Sequence, residues 1–361
     1  MATAQADDLT QDLTVVDGEV HTGETRTDLL EYLPEEVKRD EEDGYAFAPD
    51  KFGPIPWDGW DRTAGGRIHM DNYSVPNAEA FDEQREQFGV DRVVFSPGPA
   101  FRISLVPDHR TRVAYMRAYN SLVLDRFARG DGTYYAKMIG LAEHPEETAE
   151  EIERVGGEDG IVGMFVTDVG PTQPLGHERS DPMFAAAEKS DLPIVLHSTT
   201  GVPPGFPAAG MNPKTFLEYH TLSHPLTKMW HATSIIARGV PERFDVKFGF
   251  WEAGFTWIQL LANRMDREYI ERPNEAPELT KLPSEYLKEF YYGTQPLEEP
   301  REPEHLQTII DMTELSDQLV FTTDYPHMDF DAPAAVLQHE GLTDETKRKM
   351  MGENAERLFS F

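Results

Sequence analysis

Residues 14–21 read Thr-Val-Val-Asp-Gly-Glu-Val-His, with valines in front and acidic and imidazole groups behind. In an extended strand residues i, i+2 and i+4 share a face, so Asp17, Glu19 and His21 point the same way. Polar groups on one face of a buried strand are costly unless something satisfies them, and a divalent cation does so. Three more residues stand directly behind apolar runs: His197 after Ile194-Val195-Leu196, Glu252 after Phe250-Trp251, and Asp324 after Val320-Phe321 and two threonines. Singly, each has a plain structural reading: a loop histidine, the start of a helix, the opening of a turn. Jointly, Glu19, His21, His197 and Asp324 offer two imidazoles and two carboxylates. That set offsets a +2 charge and suits Zn²⁺, or Mn²⁺ or Fe²⁺ at higher coordination. Asp17 then reads as structural. Gln295, at the end of another apolar run, and His327, three residues after Asp324, are candidates to touch a substrate, and Arg67 (with Arg62 and Arg102) to hold a second anionic group.

The elements that must position these residues alternate. Short apolar runs at 14–21, 91–98, 134–144, 160–168, 192–198, 245–254, 289–296 and 317–327 read as strands. Helical patterns fall between them at about 79–88, 108–129, 145–155, 180–190, 214–238, 255–270 and 303–314, and helix closes the chain over 343–361. Eight such units predict an α/β fold, a (β/α)₈ TIM barrel, whose chemistry sits at the C-terminal ends of the strands. A doubly wound open sheet is the alternative, weakened because no G-x-G-x-x-G turn follows the first strand. On helix 255–270, Trp257, Leu260, Leu261 and Met265 read as one apolar face. Residues 1–13 read as a flexible lead-in to a single domain over 14–361. Residues 22–78, long, acidic and rich in Gly, Pro and Trp, read as a lid carrying Trp57, Trp60 and His69.

Bulk composition narrows the partners. Of 361 residues, 65 are acidic and 33 basic, for a formal net charge of −32. Such a surface repels nucleic acid and anionic membranes, and suits a cytosol at very high salt, where self-repulsion is screened. No cysteine is present, which excludes disulfides and thiolate chemistry. The first residues show no signal pattern and no run is long enough to span a bilayer, so a cytoplasmic protein acting on a small molecule is expected.

The alternating first strand, the histidine ending the fifth strand and the aspartate ending the eighth resemble the amidohydrolase superfamily. The segments WEAGFTWIQLLANRMDREY, PSEYLKEFYYGTQPLEEP and FTTDYPHMDFD are similar to its amidohydrolase-related branch, which holds the aminocarboxymuconate-semialdehyde decarboxylase-like enzymes. The resemblance implies metal ligation by Glu19, His21, His197 and Asp324, with Asp324 and His197 also catalytic. Glu19 stands where the family usually has a histidine, as in its dihydroxybenzoate-type decarboxylases. Glu252 stands where the sixth strand often has one. The fourth strand has no lysine, so a single metal, expected to be Zn²⁺, is implied rather than two. The implied activity is non-oxidative decarboxylation of a small aromatic or enol acid. Hydrolysis of a lactone, amide or ester, with Glu252 or Asp324 as base, is the alternative, and a non-catalytic ligand-binding barrel a further one. Relatives of this kind are often homodimers.

Overall fold

In a computed structural model the described residues are 13–42, 75–168, 173–198, 215–327 and 330–361. Eight strands form one sheet: β1 Val16–His21, β2 Arg92–Ser96, β3 Tyr134–Gly140, β4 Ile161–Thr167, β5 Ile194–His197, β6 Phe248–Phe250, β7 Tyr291–Gly293 and β8 Leu319–Val320. They are hydrogen-bonded in sequence order and all parallel. Each of the seven intervals carries a helix: α1 Asp82–Phe88, α2 His109–Arg126, α3 Pro145–Val155, α4 Asp181–Lys189, α5 Phe216–Ala237, α6 Trp257–Glu271 and α7 Glu304–Thr313. The expected (β/α)₈ barrel is therefore the fold.

Local sequence explains the helix starts. Asp108 caps α2 by accepting the Thr111 N–H. Pro145 opens α3, where its missing N–H costs nothing. Thr215 and Glu218 form a reciprocal capping box at the start of α5. One large apolar cluster lies between sheet and helices. A smaller one, with Val16, Val94, Val195, Trp251 and Val320, is joined by Leu358 and Phe359 of the closing helical segment. That segment is not one α-helix, because a π-helical turn at Lys349–Glu353 separates Asp344–Arg348 from Asn354–Phe359. Gly352 makes the fit possible: a Cβ there would lie 2.1 Å from the Thr14 carbonyl oxygen.

The barrel closes between β8 and β1 by a route that sequence periodicity does not show. Gly18 N–H donates to Phe321 O (2.9 Å), Asp324 N–H to Glu19 O (3.1 Å) and His21 N–H to Tyr325 O (2.7 Å). The eighth strand was expected to run to residue 327, yet it ends at Val320. Its Thr323 N–H is taken by the Asp17 side chain instead of a backbone carbonyl. Strand six likewise ends before Glu252. Both Glu252 (φ 59°) and Asp324 (φ 63°) adopt the left-handed conformation, which turns the chain out of the sheet.

Within the expected lid, helices occupy Arg26–Leu30 and Glu35–Glu42. Its stretch 43–74, with Trp57, Trp60, His69, Arg62 and Arg67, lies outside the described residues. On α6, Trp257, Leu261 and Met265 are buried but Leu260 is 65% exposed. At 100° per residue, Leu260 sits about 100° from Leu261 and falls off the buried arc. Among the described residues no helix is long and apolar enough to cross a membrane.

Candidate metal centre

The first strand is stitched to the eighth by a buried carboxylate. Asp17 accepts hydrogen bonds from Thr323 N (2.9 Å), Thr323 Oγ1 (2.6 Å) and Glu19 N (3.0 Å). Burial pushes its carboxyl up to about 7, although the Thr323 bonds oppose the rise. Asp17 thus holds the strand segments bearing Glu19 and Asp324 in register, the structural role its position suggests.

Glu19, His21, His197 and Asp324 converge from β1, β5 and the end of β8. Each offers a ligand atom, all four within 4.8 Å of one another, and each residue is 1% exposed. The imidazole tautomers follow from their partners. His21 Nδ1 lies 2.6 Å from Pro97 O, and His197 Nδ1 lies 2.5 Å from Ser198 O. A carbonyl oxygen only accepts, so both Nδ1 atoms carry the proton and a neutral ring presents a bare Nε2 to the centre. His21 Nε2 faces Asp324 Oδ1 at 2.9 Å. His197 Nε2 is buried without a hydrogen-bond partner, 3.5 Å from Glu19 Oε2. Two lone pairs opposed to two carboxylate oxygens require a positive charge between them. The donor set therefore fits a divalent cation, with the Nδ1–carbonyl bonds fixing the rings as they do around histidine-bound metals.

The electrostatics agree at Glu19, Asp324 and His21 but not at His197. There burial disfavours the charged ring, yet Glu252 and Glu19 raise it above the ordinary histidine value, so that without a cation a proton is favoured there. Burial would raise the Glu19 carboxyl, but His197 and Lys137 outweigh it and hold it well below the usual range. Burial is likewise overcome at Asp324, which His327 and His21 keep low. Burial and the neighbouring His327 lower His21, favouring the neutral ring a metal needs.

Around these four stand the other candidates. Glu252 is 12% exposed, its Oε2 3.4 Å from His197 Nδ1 and its Oε1 3.7 Å from His327 Nδ1. Burial pushes its carboxyl up to about 7, against the pull of His197. His327 is 20% exposed, bonds Asp324 Oδ1 through Nδ1 at 2.7 Å and stacks on His21 at 4.1 Å between ring centroids. Burial disfavours its charged form, yet Asp324 and Glu252 raise it well above the ordinary histidine value. Gln295 is buried beyond the end of β7, its backbone N–H donating to Thr322 Oγ1. Arg67 lies outside the described residues.

The sequence matches the amidohydrolase family over residues 56–361. The chain belongs to the amidohydrolase family. Solved structures share its fold. An amidohydrolase from Mycobacterium avium subsp. paratuberculosis is 19% identical, covering 96% of this chain and 99% of its own, with a TM-score of 0.75. The 5-carboxyvanillate decarboxylase of Novosphingobium aromaticivorans, complexed with manganese and 4-hydroxy-3-methoxy-5-nitrobenzoic acid, is 17% identical, covering 97% of each chain, with a TM-score of 0.71. A 2,6-dihydroxybenzoate decarboxylase in complex with its substrate is 16% identical, covering 97% of this chain and 99% of its own, with a TM-score of 0.67. No match is found among curated proteins.

Three features of this amidohydrolase were not foreseen from sequence. Ser96 Oγ donates to Glu19 Oε1 at 2.8 Å, while Lys137, 0% exposed on β3, gives Nζ to Gly18 O at 2.8 Å and approaches Glu19 Oε1 at 3.5 Å. These two hold one oxygen of Glu19 and leave Oε2 to the centre. A lysine inside the apolar run Tyr-Tyr-Ala-Lys-Met-Ile was the one visible signal for it. His224, on α5, places Nε2 3.8 Å from Glu252 Oε2. Lys228, one turn on and fully buried, bonds Ser198 Oγ (2.8 Å) and Asp168 Oδ2 (3.3 Å).

Proposed function

We propose that this amidohydrolase is a metal-dependent carboxy-lyase that removes CO₂ from a small aromatic or enol carboxylic acid without oxidation. The observation that carries the reading is the pair of bare, buried Nε2 atoms facing two carboxylates, a cation site with a charged, partly open imidazole beside it. Glu19, His21, His197 and Asp324 would hold one divalent cation. Two carboxylates and two imidazoles take Zn²⁺ in four-coordination, or Mn²⁺ when further oxygens join. Manganese accompanies the 5-carboxyvanillate decarboxylase, so Mn²⁺ is the first metal to load. When bound, the cation supplies Lewis-acid stabilisation of negative charge developing on the substrate.

The protein's own groups carry the proton. Loss of CO₂ leaves the C–C bonding pair on the substrate carbon, which must be protonated. His327 holds a proton under the influence of Asp324 and Glu252, and it is the more exposed of the site's imidazoles. Asp324, kept ionised and bonded to His327 Nδ1, orients that ring, so the proton role read for Asp324 alone falls to the pair. His197 orients the substrate as well as ligating, and Glu252 backs both His197 and His327.

Hydrolysis is the second reading, favoured by one observation: Glu252, with its carboxyl pushed up to about 7, suits a base for water. A single panel separates the two. Mn²⁺-loaded and Zn²⁺-loaded protein, assayed in molar KCl, is given ortho-hydroxybenzoates and enol acids for CO₂ release, and lactones for acid release. CO₂ release that is lost in His21→Ala and in a chelator supports the lyase. Turnover of lactones alone overturns it.

A further inference from the structure

Between β2 and α2 the chain makes a short 3₁₀ segment, Pro99–Leu105, whose place beside the metal centre is fixed by buried polar groups. Glu24 accepts the Ala100 N–H at 2.6 Å and the Thr22 hydroxyl at 2.5 Å, and Thr22 Oγ1 accepts the Gly98 N–H at 3.0 Å. The backbone of Gly98 passes so close to β1 that a Cβ would stand 1.7 Å from Thr22 O. This strap aims one side chain at the site. The Phe101 ring centroid lies 6.4 Å from that of His21, 6.3 Å from His197 and 6.4 Å from His327. Near-equal distances to the imidazoles of His21 and His197 and to the partly exposed His327 place the ring over all three rather than beside any one. The Arg102 guanidinium lies over the ring at 5.2 Å. Phe101 is only half-buried, so it keeps surface for a ligand to cover.

We infer that Phe101 is a specificity-determining residue, the wall against which a metal-held acid lies, and that it selects planar conjugated acids over saturated ones of equal chelating power. This rests on the carboxy-lyase reading of the site. An acid that a cation held by Glu19, His21, His197 and Asp324 would bind through its carboxylate and a neighbouring hydroxyl would bring its ring against these imidazoles and Phe101. A flat π system can meet Phe101 in a stacked or edge-to-face arrangement, whereas a puckered ring gains only apolar contact. Aromatic pairing of this kind corresponds to roughly a two- to tenfold preference.

The test compares 2-hydroxybenzoate with cis-2-hydroxycyclohexanecarboxylate, binding each to Mn²⁺-loaded protein by calorimetry. The ratio of their affinities in wild type is set against the ratio in Phe101→Leu, which keeps an apolar side chain without a π face, and in Phe101→Ala. The ratio is expected to shrink roughly two- to tenfold in both variants, with Mn²⁺ affinity within about twofold of wild type. An unchanged ratio overturns the role of Phe101, and if Phe101→Ala does not fold, Phe101→Leu decides alone. Binding of neither acid by metal-loaded wild type overturns the acid-chelating reading itself, which separates that failure from this one.

Discussion

The orientation of Glu19 offers the sharpest quantitative test, because it hangs on one hydroxyl. Ser96 Oγ donates to Glu19 Oε1 at 2.8 Å, and Lys137 Nζ approaches the same oxygen from 3.5 Å. Ser96→Ala removes the shorter contact and leaves a long one, so the carboxylate is free to turn Oε2 away from His197. Losing a partner that orients a metal ligand typically lowers metal affinity about 10–100-fold, or about 1.4–2.7 kcal/mol. The same number must appear in stability. With Mn²⁺ held at 1,000 times the wild-type dissociation constant, binding stabilises the fold by about 4.1 kcal/mol, and the variant retains only about 1.4–2.7 kcal/mol of that. The metal-free proteins should differ by less, about 0.5–1.5 kcal/mol for one hydrogen bond. Free Mn²⁺ is read by its EPR signal during titration, and unfolding by calorimetry with and without metal. Equal losses of stability in both forms, with an unchanged dissociation constant, would show that Ser96 merely packs.

Three more expectations follow, the first from the buried carboxyls of Asp17, Glu24 and Glu143, the last of which pairs with Arg112 at 3.1 Å. Burial raises Asp17, Glu24 and Glu143 each to about 7. Raised folded values mean that the native state binds more protons than the unfolded chain above about pH 4. This contribution is therefore full below the unfolded values and is lost as pH climbs through 7, by on the order of 3–4 kcal/mol for each of the three groups. Metal-free protein at constant high salt should melt at a higher temperature at pH 5.5 than at pH 8, and a rise in Tm over that interval would contradict the burial argument. On the hydrolysis reading, Glu252→Gln should lower kcat about 10²–10⁴-fold and flatten the acid limb of the pH–rate profile, while Mn²⁺ affinity moves only a few-fold. A profile that keeps its limb excludes Glu252 as the titrating group. Because Glu252 sits at φ 59°, Glu252→Gly should be more stable than Glu252→Ala by about 1 kcal/mol, the reverse of the usual ranking, measured by urea unfolding without metal.

Much of this is legible in the sequence. Apolar runs separated by helical patterns lead to a barrel, and a barrel leads to the ends of its strands, where Glu19, His21, His197 and Asp324 were already waiting. The misses have common physical causes. Periodicity says which way a strand residue points but not what stands across the barrel, so Lys137 on β3 could not be matched to Glu19 on β1. Phe101 lies in a loop whose path is set by Glu24 and Gly98, contacts that link residues 76 apart in sequence. Strand ends fail where a side chain replaces the backbone as hydrogen-bond partner, as Asp17 does at Thr323.

Those same places are where the chain departs furthest from what folding alone favours. Two non-glycine residues, Glu252 and Asp324, are held left-handed, a conformation that costs about 1–3 kcal/mol each. An imidazole nitrogen of His197 is buried with no partner, and two carboxylates are buried opposite bare nitrogens. A chain selected for stability alone would place glycine at both turns and an apolar side chain at residue 197. A single cation at the meeting point of the four side chains would offset most of these costs: it would pair with Glu19 and Asp324 and take the lone pairs of His21 and His197. The polar and electrostatic defects are independent in kind, yet they share one remedy and one location. That coincidence argues for a resident metal more strongly than the identity of any one ligand does, and it holds whether the bond broken in front of the metal proves to be C–C or C–O.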